Sequence, residues 1–378
     1  MKKKAAGRKT AKPAVQEARG VNRTLAVSII FAVVATAVYW RAFHAGFVWD
    51  DDTILTENAL IKAHDGLYWI WCSTLPLDYW PLTNSSFWIE WRLWGMDAAG
   101  YHVTNVALHT SSAIIFWALL RRLKVPGAFL AALLFLVHPV NVESVAWITQ
   151  RKNTLSMVLF LLSMLWYLRF DERPSARWYG LSLGAFILAM LSKGSVAPLP
   201  FLLLLAIWWR HDRVTTDDVK RLVPFLAVAV ALTLVNIWFQ SHRGHEIVRH
   251  VSPVERVLGA AAVVWFYLYK ALVPIHLVFV YPQWRISAAD VRWWLPLAAA
   301  VGVTIGLWSQ RRRGWGRASL FAWLFFGIAL APVAGLTDVY FMKYSLVADH
   351  YQYNAMLAVV ALVAAGIATF SNRASAAD

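Results

Sequence analysis

Apolar runs with no acidic or basic residue recur along the whole 378-residue chain. A helix rises 1.5 Å per residue, so about 20 apolar residues cross the roughly 30 Å hydrocarbon layer of a bilayer. Soluble helices seldom stay apolar on every face over such a length. The pattern therefore predicts an all-α, polytopic membrane bundle. The runs are 24–40, 103–120, 125–142, 153–168, 178–192, 194–209, 222–241, 293–310, 318–337 and 350–372.

Charged residues divide this pattern into a tail, a loop and a bundle. Residues 1–23 carry eight Lys or Arg against Glu17 alone, which predicts a disordered cytoplasmic N-terminus and an uncleaved first span. Residues 44–100 are acidic and rich in Trp, which predicts a long external loop that carries interfacial helices. We expect one transmembrane domain at 24–371, with about 10–12 spans, and a short tail at 372–378.

One apolar stretch in the second half has an irregular pattern. Lys270 and Pro274 interrupt residues 257–284. A single span there would place the basic cluster at 311–313 on the outside, against the positive-inside rule. The stretch therefore predicts a helix pair or a re-entrant element.

Composition narrows the class of protein further. Hydrophobic residues make up 59% of the chain and charged residues 15%. A net charge of +15 would suggest nucleic acid in a soluble protein, but these basic residues lie between apolar runs, so we expect membrane lipids and no nucleic acid as partners. The single Cys72 excludes an intramolecular disulfide. The sequence has no Gly-rich phosphate loop, paired-cysteine metal site or Gly-x-Ser-x-Gly elbow, which excludes nucleotide-driven transporters.

An acidic triplet, Asp50 to Asp52, directly follows the first predicted span. Neighbouring carboxylates repel each other, so the pKa of one rises, and together they can take a proton or a hard cation. The alternative interpretation is a solvated turn with helix-capping acids.

Polar residues open the second predicted span on one helical face. His102, Asn105 and His109 are spaced at i, i+3 and i+7. Because polar groups that face lipid are costly, this face should point into the bundle or into a wet cavity. A satisfied interhelical hydrogen-bond network and a substrate role both fit.

The block His138 to Asn153 lies at the outer end of the third predicted span. Pro139 ends that helix, and Glu143 begins a series of positions four apart that is typical of a short interfacial helix. Arg151 and Lys152 lie on the outside, against the charge rule, and Lys193 raises the same question. Binding a lipid phosphate would explain these cations, and so would snorkelling to headgroups.

A fourth polar group lies at the outer mouth of the last span. Asp349, His350 and Tyr351 combine an acid, an imidazole and a phenol. They could orient a substrate, or they could form part of an aromatic belt.

In this order, the four segments resemble the membrane domain of multi-span proteins with tetratricopeptide repeats, whose animal members are O-mannosyltransferases of the GT-C superfamily. The resemblance covers about Val27 to Ala365 and is carried by Phe-Val-Trp-Asp-Asp, Tyr-His-Val-Thr-Asn and the block from His138 to Lys152. It implies inverting transfer of a mannose-like sugar from a polyprenyl-phosphate donor to a protein hydroxyl or envelope glycan. The implied location is the external face of the plasma (inner) membrane.

The resemblance also implies a role for each matching residue. Either Asp50 or Asp51 would be the catalytic base, and the pair could hold a divalent cation. Arg151, Lys152, Lys193 and His350 would bind the donor phosphate. The substrate cavity would contain His102, Asn105, His109, His138, Glu143, Asp349 and Tyr351.

The chain departs from the family pattern in three ways. Trp80 and His350 stand where relatives often carry Arg, and the repeats are absent. Acceptor choice is therefore open, and a repeat-containing partner protein could supply it. A lipid-linked-sugar flippase and a non-catalytic membrane scaffold are the alternative functions.

Overall fold

The computed structural model describes residues 11–241 and 248–374, and every regular element in them is helical. This confirms the all-α prediction. The helices are α1 (Ala11–Val38), α2 (Ala59–Lys62), α3 (Gly66–Cys72), α4 (Pro81–Trp94), α5 (Ala98–Arg122), α6 (Ala128–Val137), α7 (Val142–Ala146), α8 (Arg151–Glu172), α9 (Ala176–Ser192), α10 (Leu199–His211), α11 (Thr216–Ser241), α12 (Pro253–Leu272), α13 (Trp294–Ser309), α14 (Gly314–Leu330) and α15 (Met356–Ala374).

Six helices of the described residues are long and apolar enough to cross a membrane, and a seventh span results if α6 and the following helical segment count as one. The expected number was larger because some predicted spans are shorter or broken helices. Pro139 lies at a 51° bend between the two halves of that segment, and α9 falls short of the required length. The multi-pass class is confirmed, whereas residues 11–241 and 248–374 do not contain 10–12 full-length spans.

The first helix begins earlier than the charge pattern predicted. Residues 11–23, expected to be a disordered tail, continue α1, because Pro13 in its first turn costs no intrahelical hydrogen bond. The rest of that predicted tail, residues 1–10, lies outside the described residues. At the other end α15 reaches Ala374, and residues 375–378 lie outside the description.

The bundle core lies where α8 packs along α5 and α9. Ser163 and Ser182 each donate a hydrogen bond to the other's backbone carbonyl, at 2.8 and 2.7 Å, so the backbones of α8 and α9 approach closely. Large rings such as Phe135, Phe160 and Phe186 fill the remaining space. By contrast, α13 has no buried residue and lies at the periphery.

Ionic side chains collect at one end of this bundle. Arg122 bonds Glu172 at 2.6 Å, and Arg210 bonds Asp171 at 2.6 Å. Arg317 joins them from α14 by pairing with Asp212. The start of α14, which follows the basic cluster at 311–313, therefore lies beside the ends of α8 and α10. The cluster is thus at the same end of the bundle as the other arginines, which agrees with the positive-inside rule.

The segment before α5 folds into a small cap with its own core. Leu55, Ile61 and Phe87 are fully buried in it. Arg92 braces α2 and α4, because its guanidinium donates to the carbonyls of Ile61 and Ala63 at 3.1 and 2.6 Å. The expected external loop at 44–100 is thus an ordered unit that packs against α5.

The irregular stretch at 257–284, predicted as a helix pair or a re-entrant element, is one helix followed by chain without regular structure, so the helix pair is not found in this described stretch. The helix α12 ends at Leu272. Lys270 then donates to the carbonyls of Ile275 and His276 at 2.7 and 2.9 Å, which folds the chain back over the helix end. This turn places Phe279 against the rings of Trp49 and Trp147.

Candidate active site

A tight turn at residues 48–51 presents the first acidic group. The Asp51 N–H donates to the Val48 carbonyl at 3.1 Å, and the Val48 N–H donates to the Asp51 carboxylate at 2.9 Å. Trp49 occupies the second position of this turn with φ of 53°. Glycine is favoured there, and an L side chain costs about 1–2 kcal/mol. The Trp49 ring offsets part of this by packing on Phe279 and Tyr344, with centroids 5.1 and 5.9 Å away.

The two carboxylates in this turn have different environments. The second oxygen of Asp51 accepts the Thr149 N–H at 2.9 Å, and burial raises the pKa of Asp51 to about 6, against the lowering effect of these backbone donors. Asp50 is half-buried and accepts the Thr149 hydroxyl at 2.6 Å on one oxygen. Its other oxygen accepts no hydrogen bond from the described residues. Asp51 therefore anchors the turn, and Asp50 has an oxygen available for a proton.

The carboxylates do not fit the divalent cation that the sequence suggested. Both oxygens of Asp51 already accept backbone N–H groups. Divalent hard cations need several oxygen ligands, and the described part of the chain contains no group of three or more His, Cys, Asp or Glu that could hold a metal ion. This donor set supports proton transfer better than cation binding.

Arg151 lies in a buried network of partners from the protein itself. Its side chain is 1% exposed and bonds Glu90 at 2.8 Å, the Tyr101 carbonyl at 3.0 Å and the Asn105 side chain at 2.5 Å. These partners bond all three guanidinium nitrogens. That Arg151 binds the donor phosphate stays a prediction, but a buried guanidinium already paired with a carboxylate favours a structural role.

Three residues predicted to line the cavity connect helices instead. Asn105 donates to the carbonyls of Trp147 and Ile148 at 3.2 Å each. His109 bonds the Tyr353 hydroxyl at 2.7 Å and the Leu136 carbonyl at 3.0 Å. His138 bonds the Ala271 carbonyl at 3.1 Å and the Val140 N–H at 3.3 Å. Asn105 and His109 thus take part in the satisfied network of the first alternative, and His138 makes a similar connection to α12. Their role in a substrate cavity stays a prediction.

His102 is the exception on that face of α5. Its ring is 1% exposed and lies against the backbone of Ala45, Gly46 and Ala146, where neither ring nitrogen bonds any residue that the structure describes. It packs between the chain after α1 and the end of α7.

Lys152 and Lys193 form a cationic pair with no carboxylate at ion-pair distance among the residues described. The Lys152 ammonium lies 4.5 Å from the Trp80 ring and 5.8 Å from the Trp147 ring. Lys193 donates to the side-chain oxygen of Asn153. Burial, followed by the charge of Lys152, lowers the pKa of Lys193 to about 7. Glu143 partly opposes this lowering from beyond ion-pair distance, so an anionic ligand would further stabilise the positive charge of the pair.

His350 borders this pair and is oriented by an acid. Its Nδ1 lies 2.7 Å from one oxygen of Glu143, and its backbone N–H donates to the other at 3.1 Å. Burial lowers the pKa of His350, Glu143 opposes this shift, and the charges of Lys193 and Lys152 add to it. His350 is thus positively charged only when its imidazole is protonated.

Further buried polar groups lie next to His350. Asp349 accepts the Tyr281 hydroxyl at 3.0 Å, and burial raises the pKa of Asp349 to about 7. The Tyr351 hydroxyl, the Gln352 amide and the Trp147 indole nitrogen are buried with no partner in the part of the chain that is described. Tyr281 and Gln352 carried no signal in the sequence.

Thr149 joins the acidic turn to the cations. Its hydroxyl donates to Asp50 and its N–H donates to Asp51. It stands three residues before Lys152 in the sequence. A second connection is a row of rings, because Phe279 lies 5.1 Å from Trp49 and 4.9 Å from Trp147. The sequence drew no attention to Thr149 or Phe279, since an isolated loop threonine and a distant aromatic residue are unremarkable in a chain this rich in rings.

Part of the chain matches a known protein family. Residues 81–239 match the family model of dolichyl-phosphate-mannose-protein mannosyltransferases. That segment contains Lys152 and Lys193 but neither the acidic turn nor His350. The chain is a multi-pass membrane protein similar to this class of mannosyltransferases.

Within that class it resembles the TMTC O-mannosyl-transferases. Protein O-mannosyl-transferase F38B6.6 of Caenorhabditis elegans is 24% identical over 72% of this chain and 41% of its own length. Human Protein O-mannosyl-transferase TMTC4 is 31% identical over 44% of this chain and 27% of its own, and the mouse TMTC3 protein is 30% identical over 43% and 19%. The chain thus spans less than half the length of these curated relatives.

A solved structure gives a weaker match. The crystal structure of ArnT from Cupriavidus metallidurans bound to undecaprenyl phosphate is 16% identical and covers 90% of this chain and 59% of that chain. Its TM-score of 0.45 is too low to carry structural detail across.

The contrast between the two adjacent cations gives a direct prediction. Arg151→Met should lower the free energy of unfolding by about 3–5 kcal/mol, because it leaves the Glu90 carboxylate buried without its partner. Lys152→Met is the matched control and should cost much less, since no carboxylate pairs with that lysine. Thermal melting of the purified, detergent-solubilised variants measures both. Equal losses of stability would contradict the structural role of Arg151.

Proposed function

We propose that this chain is a glycosyltransferase that transfers a mannose-like sugar from a polyprenyl-phosphate donor to a protein hydroxyl. The observation that carries the proposal is Thr149, which bonds Asp50 and Asp51 close to Lys152 and Lys193. Transfer from a phosphate leaving group requires a base and nearby cations, and these two lysines have no carboxylate at ion-pair distance in the described part of the chain. The names of the relatives support the choice of mannose and of a protein acceptor.

Each group in the site has one task in this reaction. The free oxygen of Asp50 takes the proton from the acceptor hydroxyl while the Thr149 hydroxyl orients the carboxylate. The acceptor oxygen attacks the anomeric carbon on the side opposite the phosphate, so the new glycosidic bond forms as the carbon–phosphate-oxygen bond breaks, and the configuration inverts. Lys152 and Lys193 stabilise the charge that builds on the departing polyprenyl phosphate.

A groove next to Lys193 suits the hydrocarbon part of such a donor. It has a volume of about 520 Å³ and begins at Ala197 and Pro198, directly after the short turn that follows Lys193. Side chains from α10 and α11, including Phe201 and Val230, line it and are almost wholly apolar. An isoprenoid chain in this groove would leave its phosphate at the lysine end.

The charge distribution supports an active site on the external face. Helix α5 begins beside Arg151, at the site, and ends at Arg122, in the ionic group at the other end of the bundle. By the positive-inside rule, the end rich in Arg lies in the cytoplasm. The site then faces the outside of the plasma (inner) membrane, where a polyprenyl-linked sugar and an exported protein could meet.

Removal of the base tests the proposal. Asp50→Asn should reduce sugar transfer by about 10²- to 10⁴-fold without loss of folded protein, because the amide cannot take the proton. Asp52→Asn is the matched control from the same triplet, since Asp52 is exposed and its carboxylate accepts a hydrogen bond only from Thr56 among the described residues, at 3.1 Å. The assay follows labelled mannose from a mannosyl phosphopolyprenol to a Ser/Thr peptide in lipid nanodiscs. Full transfer by Asp50→Asn would refute the assignment, and lipid translocation without a covalent product would favour a flippase.

Donor binding should depend on pH through Lys193. Because the pKa of Lys193 is lowered to about 7 and an anion favours its charged form, affinity should be greatest below pH 7 and fall by up to about tenfold per pH unit above it. The donor's phosphodiester stays singly charged in this range. Lys193→Arg should flatten the curve because arginine does not titrate there. Isothermal titration between pH 6 and 9 measures this, and an unchanged slope in the arginine variant would contradict the role of Lys193.

A further inference from the structure

Aromatic rings occupy the space between the candidate base and the cationic pair. The row runs from Trp49, beside Asp50, through Phe279 to Trp147, with neighbouring centroids 5.1 and 4.9 Å apart. Trp147 in turn lies 5.8 Å from the Lys152 ammonium and 5.7 Å from the His350 ring. Three distant segments of the chain contribute these rings, so the row is a product of the fold.

Trp49 is held in the row at a cost to the backbone. It occupies a left-handed position that favours glycine, yet its side chain remains 49% exposed, so burial of the indole offsets only part of the strain. A residue under strain that persists beside a reactive carboxylate indicates a constraint other than stability.

The chemistry around the row restricts what could lie on it. A purely apolar ligand would leave Asp50 and the lysines without polar partners, whereas a pyranose has an apolar C–H face and a rim of hydroxyls. In the proposed reaction the sugar must lie between the acceptor oxygen at Asp50 and the phosphate at Lys152. The unpartnered indole N–H of Trp147 adds a hydrogen-bond donor that the described residues do not satisfy.

We propose that the exposed Trp49 indole stacks on the sugar ring of the donor and selects a sugar-bearing lipid over the bare polyprenyl phosphate. This inference rests on the proposed function. It assigns to Trp49 the recognition of the transferred group, in addition to the acid and the cations that act on its two ends.

The test compares substitutions at the strained position. Trp49→Gly suits the backbone, so its melting temperature should equal or exceed that of the parent, while affinity for mannosyl phosphopolyprenol falls at least about tenfold. Affinity for sugar-free polyprenyl phosphate should stay unchanged. Trp49→Phe should retain most of the donor affinity. Trp94→Ala, which removes another exposed tryptophan from the same external segment, is the control and should behave like the parent.

The outcomes separate this inference from the function on which it rests. If the parent transfers sugar and Trp49→Gly binds both lipids normally, the stacking role is wrong and the proposed function stands. An equal loss for both lipids, or a change confined to the KM for the peptide, would also overturn the stacking role. If the parent binds neither lipid and transfers no sugar, both proposals fail.

Discussion

The hydrogen bonds of Thr149 determine how the polar parts of this protein meet. One residue donates its hydroxyl to Asp50 and its backbone N–H to Asp51, so the turn after the first span is tied to the junction of α7 and α8. Ninety-eight residues separate Asp51 from Thr149 along the chain. Buried carboxylates need donors, and a backbone N–H freed by the break between α7 and α8 provides one. Without that break the N–H would be used inside a helix.

The pairing of each cation decides whether it stabilises the fold or is open to a ligand. Arg151 faces Glu90 in a buried pair, and removal of either partner would leave a charge without compensation. Lys152, the next residue, meets tryptophan rings and no carboxylate of the described chain. Consecutive helical residues point in different directions, so one cation holds the cap to α8 while its neighbour faces the rings of Trp80 and Trp147.

The sequence predicted the class of fold and the segments of the candidate site, but not which residues in those segments bond to each other. Long apolar runs identify helices because hydrophobicity is local information, and outward cations such as Lys152 and Lys193 stand out against the charge rule. The role of Arg151 depends on Glu90, and the choice between Asp50 and Asp51 depends on Thr149. Such partners are chosen by tertiary packing. The same limit explains why His109 and His138, which looked suited to a cavity, are interhelical hydrogen-bonding groups.

A cryo-EM structure of the protein with mannosyl phosphopolyprenol bound would test the central claim most directly. The account predicts that the phosphate contacts the ammonium groups of Lys152 and Lys193, and that the anomeric carbon lies on the Asp50 side with the hydrocarbon chain leading towards Pro198. A phosphate bound at the Arg-rich end of the bundle, or one held by Arg151 with its Glu90 pair broken, would contradict it.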